Sequence, residues 1–113
     1  AEEPRDWRHI AVLYAELARL TDSPVVELNR AAAVAETEGP EAGLRIVDGL
    51  DLDNYRYLHS TRAELLRRLG RTDEARDAYV RALDLVPDDA ERRLFERRLA
   101  ELELDPPTDA AGY

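Results

Sequence analysis

Asn29 and Arg30 interrupt a run of Val, Leu and Ala in "VVELNRAAAVAE", residues 25–36, and they raise the first chemical question this sequence poses. Their neighbours are the residue types that normally line a packed interface. Arg62 stands 32 residues further on and, like Arg30, is followed by an alanine. A guanidinium offers a planar fork to a carboxylate, and amide, phenol and hydroxyl groups can pair with an extended backbone. On that chemistry Asn29, Arg30, Tyr57, Thr61 and Arg62 form a candidate protein-interaction groove. The competing role is structural: each arginine half-buried, its stem packed on apolar neighbours and its head paired to an acid or to helix carbonyls. Base rates for buried charge favour the structural role.

Other residues with chemical potential reduce to surface or core. Arg92, Arg93, Arg97 and Arg98 alternate with Glu91, Glu96, Glu101 and Glu103, the pattern of a solvated, ion-paired helix face rather than a basic patch. His9 and His59 fall on different helices with no spaced partner, so no metal site is expected. Trp7, Tyr14, Tyr55 and Tyr79 are read as packing groups. There is no cysteine, hence neither disulfide nor thiolate chemistry. Neither a glycine-rich phosphate loop nor a Ser or His motif with recognisable partners occurs. The expectation is a binding module with no catalytic residue and no cofactor, not an enzyme.

Composition narrows the partner. The 113 residues carry a formal charge of −9, which disfavours a phosphate-neutralising surface and with it direct nucleic-acid contact. No apolar run approaches the ~20 residues of a membrane span, and nothing resembles a signal peptide. A cytoplasmic location is the expectation, with no membrane contact.

Helical periodicity accounts for almost the whole chain. Pro4 suits a first helical turn, followed by Trp7, Ile10, Tyr14, Leu17 and Leu20 on one stripe. Ser23 and Pro24 read as cap and first residue of a second helix reaching about Glu38. Gly39 and Pro40 break it. A short third helix carries Ala42, Ile46 and Leu50, and Asp53 or Asn54 is the expected cap of a fourth, about Tyr55 to Leu69. Gly70 stops that helix, and Thr72, Asp73 and Glu74 open a fifth that ends near Val86. Pro87 leads to a sixth, with Leu94, Leu99 and Leu102 on one face and Phe95 beside them. Residues 1–104 are expected to be one domain; 105–113 lack periodicity and are expected to be a mobile tail.

Six helices joined by short turns imply antiparallel hairpins, and the sequence repeats at a helix-pair period. In "AELLRRLGRTDEARDAYVRALDLVP" the positions Ala63, Gly70, Ala75, Tyr79, Ala82 and Pro87 resemble the tetratricopeptide pattern, with His59 where tryptophan is usual. Ala42, Ile46 and Gly49 precede Ala75, Tyr79 and Ala82 by 33 residues. For the preceding helices, an offset of 31 aligns Gly39 with Gly70, whereas 32 aligns Arg30-Ala31 with Arg62-Ala63; the second is preferred. The fold class implied is all-α: antiparallel hairpins stacked as a short tetratricopeptide-like solenoid, helices one and six capping its ends. The Lys and Asn set of carboxylate-clamp repeats is absent, so capture of a C-terminal peptide is not expected.

Residues 6–103 as a whole also resemble the C-terminal extension of a group of bacterial extracytoplasmic-function (ECF) RNA polymerase sigma factors. "SPVVELNRA", "EGPEAGL", "LLRRLGRTDEAR" and "ERRLFERRL" carry the resemblance. It implies regions reading the −10 and −35 promoter elements, neither of which is in this chain. It further implies a regulatory or activity-supporting role in transcription initiation, exerted on the sigma-factor core, RNA polymerase or a regulatory protein. A free-standing tetratricopeptide adaptor or a dimerisation module is the alternative.

Overall fold

Helix boundaries fall where local chemistry can satisfy the end groups of a helix. The computed structural model describes residues 6–104, and six α-helices occupy them: α1 (Trp7–Thr21), α2 (Pro24–Glu38), α3 (Pro40–Asp48), α4 (Arg56–Arg68), α5 (Thr72–Asp84) and α6 (Asp89–Leu104). Among the described residues there is no strand. The Ser23 hydroxyl accepts from the Val26 amide at 3.3 Å, and Pro24 takes the first turn of α2, where no amide donor is needed. Asp6 caps α1 by accepting from the His9 amide at 3.1 Å; Pro4 lies outside the described residues. Asp88 does the same ahead of α6, accepting from the Glu91 amide at 2.9 Å.

Gly70 ends α4 by turning left-handed, φ 77°. Its amide bonds the Arg67 carbonyl and the Arg71 amide bonds that of Leu66, so two otherwise orphaned carbonyls are satisfied. Gly39 serves two helices at once, closing α2 and opening α3 at φ 100°, ψ 159°, a conformation essentially reserved for glycine.

Some expectations are corrected. The cap of α4 is Tyr55, with no side-chain cap bond, rather than Asp53 or Asn54. The loop is held instead through the Asp53 carbonyl, which lies 2.7 Å from His59 Nε2 and accepts from Arg81 Nη2 at 3.2 Å. On α6 the inward face is Phe95, Leu99 and Leu102, whereas Leu94 is exposed. The tail expected over 105–113 lies outside the described residues.

The chain divides into two compact units, residues 1–51 and 52–113. In the first, α2 packs on both α1 and α3. Its buried side chains come from α2 (Leu28, Ala31, Ala33, Val34, Ala35) and α3 (Leu44, Val47), and α1 contributes none. In the second, α4 and α5 form the main hairpin and α6 lies on α5. Ala63, Ala75 and Ala82 are fully buried, which lets the helix backbones approach closely, while Leu66 and Tyr79 fill the space left between them. Each fully buried Leu stabilises the fold by roughly 1.5–3 kcal/mol. No buried side chain among the described residues is polar apart from the phenol of Tyr79.

Candidate protein-interaction surface

Arg30 projects from the second turn of α2 and is half-buried. Its Nε donates to Glu27 Oε1 at 2.7 Å and its Nη2 to Glu27 Oε2 at 3.2 Å, a two-pronged pair across one helical turn. The hydrogen bond from Arg30 is the main reason that the Glu27 carboxyl titrates below the usual carboxylate range, and the same bond raises Arg30. Around this pair a cleft of about 520 Å3 opens between the end of α1, the start of α2 and the turn after α3, reaching Arg19, Ser23 and Asp51. Arg19 is itself paired with Glu16.

Asn29, the adjacent residue, faces a different concavity. It is exposed and floors a groove of about 460 Å3 with Ala32 and Ala33, walled by Trp7, Ile10, Leu13, Tyr14 and Leu17 of α1. Two neighbours expected to act in one groove therefore line separate surfaces of the first unit. A rotation of about 100° per helical residue is the cause.

Tyr57, Thr61 and Arg62 belong to α4 in the second unit. Tyr57 is 40% exposed and meets Tyr55 edge to face, ring centroids 5.4 Å apart. The Arg56 guanidinium stands 4.5 Å from the Tyr57 ring centroid and donates from Nη2 to the Tyr57 hydroxyl at 3.2 Å. From Nε it also donates to Glu91 Oε1 at 2.7 Å, tying the first turn of α4 to the first turn of α6. Glu91 is held below the usual carboxylate range, chiefly by that bond from Arg56 and further by one from Tyr57. Thr61 and Arg62 are half-buried. The charge of Arg62 adds to the hydrogen bond from Arg71 in lowering Glu74 of α5.

The arginines of α6 are exposed, and two of them reach groups of α5. Arg92 donates to the Leu83 carbonyl at 3.2 Å, and Arg98 hydrogen-bonds the hydroxyl of Tyr79, whose burial pushes its ionisation above the ordinary value. Among the described residues, no group of three or more His, Asp or Glu side chains is placed to share a metal ion, and no helix is long and apolar enough to cross a membrane.

Glu27, Arg56 and Leu13 are absent from the residues singled out in the sequence, and Glu91 is named there only as one acid on the face of the sixth helix, not as the partner of Arg56. Glu27 had a signal, an acid one turn before Arg30. Glu91 had none, being 35 residues from its partner.

A helical hairpin with buried Ala63, Ala75, Tyr79 and Ala82 and a left-handed Gly70 between its arms is the geometry of one repeat unit. Residues 56–89 match the tetratricopeptide repeat. Such repeats are helical modules for protein–protein interaction. An uncharacterized protein of Rhizobium meliloti (strain 1021) is 46% identical over 114 residues, an alignment that takes in 97% of this chain and 27% of the relative. The chain thus spans about a quarter of the length of the curated relative it matches. No solved structure matches the chain.

Proposed function

We propose that this chain is the C-terminal regulatory and protein-interaction domain of an ECF-type RNA polymerase sigma factor, acting in the cytoplasm by protein contacts rather than by reading DNA. The observation that carries the reading is the resemblance of residues 6–103, and two further facts support it. The tetratricopeptide repeat at 56–89 is a protein-binding architecture, and the related segment in the Rhizobium protein is part of a much longer polypeptide, as an appended module must be. In this reading residues 1–104 serve as one functional domain, with Asn29 and Arg30 as contacts on separate surfaces of the first unit and Tyr57, Thr61 and Arg62 as contacts on the second. The partner is the sigma core, polymerase or a regulatory protein. Regulation comes from binding one arrangement of that partner better than another, since a ligand shifts an equilibrium only by its differential affinity.

The test has two arms. The reading frame upstream of this segment is expected to encode the promoter-reading regions. Transcription in vitro by the intact factor is expected to change when residues 6–104 are deleted, while DNA binding by the remaining regions is retained. An upstream frame without sigma regions removes the transcription role and leaves a tetratricopeptide adaptor or dimerisation module.

A further inference from the structure

Helix α1 is amphipathic, and α2 covers only part of its apolar surface, leaving Trp7, Ile10 and Tyr14 half-buried. Leu13, Leu17 and Leu20 recur at helical spacing and expose 55, 43 and 68% of their surface, and Val25 at the start of α2 exposes 38%. Beside Leu13 and Leu17 runs the groove floored by Asn29, Ala32 and Ala33. A contiguous apolar strip of this kind marks an interaction surface. From Trp7 to Leu17 it follows ten residues of helix, about 15 Å at 1.5 Å per residue, a length that suits about three turns of a partner helix.

Charge selects the occupant. Residues 6–51 hold nine carboxylates and four arginines. Three of those arginines are engaged by acids of their own helices, in the pairs Arg19–Glu16, Arg30–Glu27 and Arg45–Glu41. A second copy of this chain would bring a further −9 against that acidic surplus. A helix with basic flanks meets it with complementary charge.

We propose that the groove between α1 and α2 is a docking site for an amphipathic α-helix with an apolar face and Lys or Arg along its flanks. Leu13 and Leu17 pack against the apolar face of the incoming helix. Asn29 is the polar group in the floor and fixes register by pairing with a polar side chain of the occupant, as a single buried amide does between helices. This deepens the protein-interaction part of the function proposed above and is independent of the transcription part.

The probe is an 18-residue helical peptide with leucine on one face and Lys and Arg on the flanks, titrated into the isotopically labelled full chain. A twin peptide carries Glu on the flanks, and a scrambled peptide is the control. Expected are saturable one-to-one shifts of the Leu13, Leu17, Asn29 and Ala32 amides, at least tenfold weaker binding of the Glu-flanked twin, and weakening with salt. Leu17→Glu is expected to lower affinity at least tenfold at unchanged circular dichroism; Leu13→Asn, also at an exposed position, gives the same readout should Leu17→Glu disturb the fold. Absence of saturable shifts, equal binding of the two charged peptides, or shifts confined to other helices overturns the proposal. So does a concentration-dependent dimer in sedimentation that Leu17→Glu dissociates, since a second copy would then be the occupant. Failure here together with a transcription defect on deleting residues 6–104 removes the groove and leaves the proposed function standing.

Discussion

The guanidinium of Arg30 is already committed to Glu27 by two hydrogen bonds, so a ligand carboxylate would have to displace a partner in place. With both side chains about a third exposed or less, such a pair contributes about 0.3–1 kcal/mol. Arg30→Ala should lower stability by that order in urea unfolding, and a double-mutant cycle with Glu27→Ala should recover the same coupling at pH 7. Because Glu27 is depressed in the folded chain, the coupling is fully present above its unfolded pKa, about 4.3, and is lost as pH falls through the lower folded value. If partner binding by the full-length protein fell while the melting temperature of Arg30→Ala stayed unchanged, the arginine would be reading a partner instead. Gly39 makes a second test at this scale. A methyl group there would meet nothing within 4 Å, so Gly39→Ala isolates the backbone cost of φ 100°, ψ 159°. A loss of about 1–3 kcal/mol in the same unfolding assay is expected. Both Ser23 and Gly39 were legible in the sequence because caps and breakers act locally. Which way Asn29 and Arg30 face was not, because that depends on which side of α2 the neighbouring helix covers.

At the level of elements, the six helices and most of their ends follow from punctuation that the chain carries in itself: Ser23-Pro24, Gly39-Pro40, Gly70 and Pro87. The fold class and the fourth-to-fifth hairpin were therefore readable, and the buried Ala63, Ala75, Tyr79 and Ala82 bear out the repeat pattern there. The misreadings came where a tertiary partner decides. Leu94 shares a periodic pattern with Leu99 and Leu102, but α5 meets Phe95 instead, so Leu94 stays in solvent. Tyr55 rather than an aspartate opens α4 because the loop is anchored through the Asp53 carbonyl by His59 and Arg81. Likewise the contact from Arg56 to Glu91 joins two helix starts that no sequence spacing relates. Glu91→Gln should remove the charge that Arg56 and the Tyr57 hydroxyl favour. Faster amide hydrogen exchange is then expected in the first turns of α6, with protection in the α4–α5 hairpin unchanged. In the unsubstituted chain the same loosening should appear as pH falls through the depressed Glu91 value, since the tie requires the carboxylate.

Across the whole molecule the acid surplus is unevenly placed. Residues 6–51 hold nine carboxylates against four arginines, whereas residues 52–104 hold twelve against eleven. The second unit, with the tetratricopeptide repeat, is nearly neutral over residues 52–104; much of the acid surplus lies in the first unit, the one that holds the apolar groove between α1 and α2. Of the α6 arginines, Arg92 is engaged by the Leu83 carbonyl and Arg98 by the Tyr79 hydroxyl. Phosphate binding needs several cations free to displace counterions, and its affinity then falls steeply with salt. An electrophoretic mobility assay of this chain with promoter duplex should accordingly show no retarded complex at micromolar protein in 50 mM salt, and hence no salt-sensitive component to lose at 200 mM. A complex that dissolves between those two concentrations would mean that arginines of the second unit act together on DNA despite the net charge, and would move the contact surface from the acidic first unit to α6.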